Sequence, residues 1–169
     1  MRSLAFPAAL TAVLLAAPSA RADEPDPAVG FALGAATILA GFIVGGTLVT
    51  TNQGNGPMAE AGWFAIEGGF SLAPLVSHAA VGEWARGAVF ASLPTATTLG
   101  TIPVFAADGS GVVEHGTLPQ QRVMWGLFTG GLAGSMAGVI DTVFSTGRAL
   151  HVAPVLGVGS AGVVVGGAL

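Results

Sequence analysis

The chain has no cysteine, no lysine and few charged residues of any kind. Without cysteine it forms no disulfide, thiolate metal site, covalent haem link or lipid-modified cysteine. Charged residues are 8% of its 169 residues, whereas about 25% is usual in soluble domains. Because a soluble domain of this length needs a charged surface, the composition indicates that lipid surrounds much of the chain.

Positive charge is scarce and dispersed. The five arginines stand at positions 2, 21, 86, 122 and 148, and the net charge is −4. Proteins that bind nucleic acid neutralise phosphates with clustered cations, so we expect no nucleic-acid partner. The lipid bilayer is the partner that the composition predicts, because 52% of the residues are hydrophobic and the mean hydropathy is +0.76.

The first 22 residues have the three parts of a secretory signal peptide. Arg2 supplies a positive charge, residues 4–17 form an apolar run, and Ala20 and Ala22 are small residues before a cleavage site. Cleavage after residue 22 would place the mature N-terminus on the outer side of a bacterial cytoplasmic membrane. The alternative is an uncleaved anchor helix, although the apolar run is shorter than the roughly 20 residues of a membrane span.

Four charge-poor windows predict an all-α integral membrane protein with a glycine-rich helical bundle. The predicted spans are residues 28–50, 62–81, 87–107 and 123–145, with a loop at 108–121. Each is about as long as the roughly 20 residues that cross a hydrocarbon core. The second and third windows contain prolines, so kinked or re-entrant segments are the alternative for them. The helical membrane domain then covers residues 23–148.

Three tryptophans bear on the orientation. Trp63 and Trp125 begin the second and fourth spans, and Trp84 lies between the second and third. Indole rings favour the membrane–water interface, so we expect Trp63 and Trp125 on the cytoplasmic side and Trp84 on the outer side. Arg86 and Arg148 would then lie outside, against the usual excess of positive charge in cytoplasmic loops. We keep the orientation that the signal peptide predicts.

The tail, residues 149–169, is rich in glycine and valine. Its β-branched stretches are separated by glycines, which favours a short hairpin or an irregular tail. A fifth span is the alternative.

The fourth span has a glycine at every fourth position: Gly126, Gly130, Gly134 and Gly138. Residues four apart lie near each other on a helix, and glycine lets two helix backbones approach closely in lipid. We expect this row to pack helices together, either within the chain's own bundle or against a second copy or another membrane protein. The pairs Gly30–Gly34 and Gly41–Gly45 of the first span are weaker signals, because such pairs arise often by chance in so glycine-rich a chain.

Four polar residues within the predicted spans form a possible intramembrane polar site: Glu67, Ser71, His78 and Asp141. The first three share one face of the second span, because they are spaced by four and seven residues. A charged side chain in a bilayer costs about 2.5–3.5 kcal/mol, so each requires a partner or a function. Hydrogen bonds between helices are one interpretation, and a proton or cation path is the other.

Ion pairs are expected near both ends of the bundle. The expected neighbours of Asp141 at the outer end are His78, Glu83, Arg86 and Arg148. At the inner end, Arg122 is expected to reach Glu67 or Glu60.

The remaining motif matches carry no chemistry. Residues 157–162 fit G-x-G-x-x-G, but no acidic residue follows them, and dinucleotide binding needs one about 20 positions later. The histidines lack metal-ligand spacing, and no G-x-S-x-G turn frames a serine. We therefore expect no metal, no cofactor and no enzymatic activity.

Together these features predict a small multi-pass membrane protein with little chain outside the bilayer. The favoured function is a structural or accessory subunit that packs through its glycine-lined helix. The alternative is a minimal channel or transporter, in which Glu67, Ser71, His78 and the threonines of the third span line a polar path.

Overall fold

The computed structural model describes residues 26–109, 111–145, 150–157 and 160–167, and most of these are helical. The helices are α1 (Pro27–Thr51), α2 (Pro57–Ala80), α3 (Trp84–Asp108), the short α4 (Val112–His115) and α5 (Leu118–Ser145). Two strands, β1 (Leu150–Gly157) and β2 (Ser160–Gly167), pair antiparallel, which agrees with the hairpin favoured for the tail. The predicted signal peptide and Arg148 lie outside the described residues.

Local sequence explains where the long helices begin. The carboxylate of Asp26 accepts a hydrogen bond from the Ala28 backbone N–H, and Pro27 occupies the first turn of α1. Pro57 begins α2 after Gly56, whose φ of +81° suits glycine. Helices α2 and α5 begin five residues before the predicted second and fourth spans, which were drawn from charge-free windows. The first turns of these helices carry polar residues, Glu60 and Gln120.

Three of the described helices, α1, α3 and α5, are long and apolar enough to cross a membrane. The predicted second span, α2, is not among them, because Glu60, Glu67 and His78 lower its hydropathy. It packs against α1, α3 and α5. The long helix that is not among the candidate spans is therefore the one with the most buried residues.

Large apolar side chains point outward from the bundle. Ile43 is 68% exposed and Phe144 is 73% exposed, and α3 shows the same pattern at Leu99. On α1 the buried residues are Gly30, Gly34, Gly41 and Gly45. Apolar groups outside and small or polar groups inside fit a bundle whose solvent is lipid, where close packing rather than hydrophobic burial holds helices together.

The glycines of α1 let its backbone approach α2. A Cβ on Gly45 would collide with the carbonyl oxygen of Gly62, and one on Gly41 would lie 3.1 Å from the Gly69 Cα. The four glycines stay on one face because residues 11 apart complete just over three turns of about 3.6 residues each. The pairs that were the weaker signals in the sequence thus bring the backbones of α1 and α2 together.

The glycine row of α5 divides between two environments. Gly138 is buried, and a Cβ there would lie 2.7 Å from the Phe90 Cβ. A Cβ on Gly126 would have no neighbouring atom within 4 Å. Each step of four residues turns the row by about 40° around a helix of 3.6 residues per turn. The row therefore winds from the outer surface at Gly126 to the interior at Gly138 instead of keeping one face.

Candidate functional site

A charged cluster lies where α2 ends, α3 begins and α5 ends; it consists of His78, Glu83, Arg86, Asp141 and Ser145. The guanidinium of Arg86 donates two hydrogen bonds to Asp141, from Nε to Oδ2 at 2.5 Å and from Nη2 to Oδ1 at 2.9 Å. Two parallel bonds of this kind fix the relative orientation of the two side chains and also strengthen the contact. The pair joins α3 to α5, across 55 residues of sequence.

His78 is fully buried in the charged cluster, and both ring nitrogens have a partner. Nε2 lies 3.1 Å from the carbonyl oxygen of Gly138, and Nδ1 lies 3.2 Å from Glu83 Oε2. The ring stacks on Phe90, with centroids 5.6 Å apart and planes inclined by 4°. These contacts hold the end of α2 against both α3 and α5.

Hydroxyl groups complete the packing at this end. Ser145 Oγ donates to Glu83 Oε2 at 2.9 Å, which connects the last turn of α5 to the connection between α2 and α3. Ser77 and Thr142 are fully buried, and their hydroxyl oxygens lie 2.6 Å apart. Each bond joins two residues that are more than 60 positions apart in the sequence.

A second polar group, the Glu67 site, lies nearer the opposite end and consists of Glu67, Thr101 and Trp63. Glu67 is 2% exposed, and its Oε2 lies 2.6 Å from Thr101 Oγ1 on α3. A cavity of about 10 Å³ adjoins it, lined by Trp63, Glu67, Val113, Met124, Trp125 and Phe128. The rings of Trp63 and Trp125 meet edge to face, which places both tryptophans at the same end, as expected.

A line of hydroxyls extends from the Glu67 site along α2 and α3. Ser71 Oγ lies 3.3 Å from Thr98 Oγ1, which in turn bonds the Pro94 carbonyl oxygen. Beyond this line α5 contributes Ser135, which is fully buried and whose hydroxyl has no hydrogen-bond partner among the described residues. Pro74 and Pro94 are fully buried there, and Phe90 covers Gly138. The predicted face of Glu67, Ser71 and His78 thus contributes to two separate polar groups.

The structure does not bring together every predicted pair. Arg122 is exposed and, in the part of the chain that the structure describes, forms no ion pair with Glu60 or Glu67. His78 was also expected to lie near Asp141, and its Nε2 lies 3.6 Å from Asp141 Oδ2. Among the described residues no group of three or more histidine, aspartate or glutamate side chains is arranged to hold a metal ion.

Sequence reasoning did not predict that buried hydroxyls bond to charged residues and to one another. Thr101, Ser77, Thr142 and Ser145 are each at most 1% exposed. Serine and threonine are ordinary within membrane helices, so their presence alone did not mark them. The available signal was position: Ser77 precedes His78 directly, and Thr142 follows Asp141 directly.

Comparison of the chain with models of known protein families, with curated proteins and with solved structures found no match.

Proposed function

We propose that the chain is a structural or accessory subunit of the bacterial cytoplasmic membrane rather than an enzyme. In this proposal the signal peptide is cleaved, the mature N-terminus lies on the outer side, and α2 crosses the membrane as a fourth span that its neighbours shield. The supporting observation is the bidentate pair of Arg86 and Asp141 between α3 and α5. A charge-assisted contact with two parallel bonds is thus one that holds helices together.

The partner that we propose is a second copy of the chain, bound at the open start of the α5 glycine row. A Cβ on Gly126 would have no neighbouring atom within 4 Å, and a Cβ on Gly130 would lie 3.6 Å from its nearest neighbour, a Thr97 methyl. The exposed residues that continue this surface along α5 are also small: Thr129, Ala133 and Ala137. Small residues let helices meet closely in lipid, so this surface suits helix–helix contact.

Light scattering of the detergent-extracted protein at several concentrations tests this proposal. We expect wild type to be oligomeric and Gly126→Leu to be monomeric. Gly46→Leu is the matched control, because Gly46 on α1 also has no neighbouring atom within 4 Å. A monomeric wild type, or equal disruption by Gly46→Leu, would overturn self-association through α5.

The channel or transporter alternative draws support from the hydroxyl line of Ser71, Thr98 and Thr101 beside Glu67. A complete path would also have to pass the buried Pro74 and Pro94 to reach His78. In proteoliposomes, this alternative requires an ion or proton flux that Glu67→Gln abolishes. The structural proposal requires that no such flux be found.

A further inference from the structure

The Glu67 site contains more hydrogen-bond acceptors than one hydroxyl proton can serve. Thr101 Oγ1 lies 2.6 Å from Glu67 Oε2, 2.9 Å from the Thr98 carbonyl oxygen and 3.1 Å from the Thr97 carbonyl oxygen. A threonine hydroxyl donates one proton, and carbonyl and carboxylate oxygens only accept. If Thr101 donates to a backbone carbonyl, its oxygen is free to accept, and a carboxylic acid at Glu67 is the donor that fits.

No cation in the described structure balances a charge on Glu67. Helix α1 carries no titratable residue, α3 and α5 carry Arg86, Asp108, Arg122 and Asp141, and Glu83 directly precedes α3. Helix α4 carries Glu114 and His115, and α2 carries Glu60 and His78 besides Glu67. Arg86 and His78 bond to groups of the charged cluster, and Arg122 and His115 are exposed. A buried carboxylate without a counter-ion is costly, whereas the neutral acid is tolerated.

The cavity beside Glu67 has room for water. Its volume of about 10 Å³ is near the size that admits a single water molecule. Trp63 lines this cavity, and its Nε1 is buried without a hydrogen-bond partner among the described residues. An indole N–H only donates, so a water oxygen would satisfy it and leave the water's protons for acceptors such as Glu67.

We propose that Glu67 is a proton-binding site that exchanges its proton through one water at the Trp63–Trp125 end of the bundle. In release, the O–H bond of the carboxylic acid breaks, its electron pair stays on the carboxylate, and the proton passes to the water to form hydronium. Uptake is the reverse, so no other reactant is needed. The buried Pro74 and Pro94 separate this site from the charged cluster, so exchange occurs at one end only. This inference goes beyond the proposed subunit function and does not depend on it.

Infrared spectroscopy of the full chain in phosphatidylcholine vesicles tests the proposal. Wild type at neutral pH is expected to show the carbonyl stretch of a protonated carboxylic acid, which shifts when the sample is moved to D2O. Glu67→Gln removes this band. Glu60→Gln, the matched control about two turns earlier on α2, keeps it. The absence of a band that depends on Glu67 would overturn the proposal.

The route of exchange is tested by two tryptophan variants that keep an aromatic ring. Trp63→Phe keeps the acid band but slows its exchange about fivefold, a factor that corresponds to one lost hydrogen bond. Trp84→Phe, at the opposite end of the bundle, leaves the exchange rate unchanged. An unchanged rate in Trp63→Phe, or equal slowing by Trp84→Phe, would overturn the one-ended route.

Discussion

Arg86 and Asp141 form a two-point ion pair between α3 and α5, with Nε–Oδ2 at 2.5 Å and Nη2–Oδ1 at 2.9 Å. Their side chains are 14% and 21% exposed, so both charges are largely removed from solvent. Asp141 also lies 3.6 Å from His78 Nε2, and through this contact the pair reaches α2. One carboxylate therefore connects three helices near one end of the bundle.

Asp141→Asn is expected to lower the free energy of unfolding in detergent by about 3 kcal/mol, the scale for removing one partner of a buried ion pair. The reason is that Arg86 keeps its charge but loses the carboxylate that accepts both of its hydrogen bonds. The measurement is an equilibrium unfolding titration in mixed detergent micelles.

The double variant Arg86→Met/Asp141→Leu is the control for this prediction. Replacing both partners by apolar residues is often neutral, so the double variant should be more stable than Asp141→Asn. If Asp141→Asn unfolds at the same point as wild type, the pair contributes nothing to the bundle.

Gly45→Ala and Gly46→Ala are adjacent substitutions on α1 with opposite expected results. A Cβ on Gly45 would meet the Gly62 carbonyl oxygen and the Ile66 side chain, whereas one on Gly46 has no neighbour within 4 Å. Alanine favours a helix over glycine by about 1 kcal/mol, so Gly46→Ala should be neutral or stabilising. Gly45→Ala should be destabilising despite the same gain, because α1 and α2 must move apart. Thermal unfolding in detergent measures both, and equal melting temperatures would contradict the close contact.

Hydrophobic runs predicted the long helices well, because length and absence of charge decide which segments cross lipid. The predicted 28–50 and 87–107 differ from α1 and α3 by three residues or fewer at each end. Runs of this kind do not reveal which helix lies inside. The central place of α2 follows from polar residues such as Glu67 and His78, which require protein neighbours rather than lipid.

Glycine spacing and polar partners were harder to predict. Four glycines at intervals of four looked more specific than two separated pairs, but helical rotation carries the α5 row from Gly126 on the surface to Gly138 in the interior. Hydrogen bonds between helices were one interpretation of Glu67, with Arg122 as a possible charged partner, and the sequence did not identify the hydroxyl that the structure gives, Thr101, 34 residues away. Such pairings depend on how helices rotate against each other, which a single sequence does not encode locally.

Thr142→Val is expected to lower stability by about 1 kcal/mol, within the range of hydrogen bonds between membrane helices. Thr142 Oγ1 lies 2.6 Å from Ser77 Oγ in the interior, and valine keeps the shape but removes the bond. Thr47→Val is the matched control, because the exposed Thr47 hydroxyl donates only to the Ile43 backbone of its own helix. Equal effects of the two substitutions would show that the bond between α2 and α5 contributes no more to stability than a hydrogen bond within one helix.

The absence of native cysteine allows the path of α2 through the membrane to be tested with single cysteines. Asn55 lies in the exposed turn between α1 and α2, and Trp84 is 61% exposed at the start of α3. If α2 crosses the membrane with the proposed orientation, an impermeant maleimide added to spheroplasts labels Trp84→Cys, and labels Asn55→Cys only after lysis. Leu39→Cys, in the middle of α1 and 60% exposed, should resist the reagent in both conditions because lipid covers it.

Labelling of Asn55→Cys and Trp84→Cys from the same side would mean that α2 does not cross, and its low hydropathy would then reflect a re-entrant segment. Labelling on opposite sides with the order reversed would keep the four spans and overturn only the orientation that the signal peptide predicts.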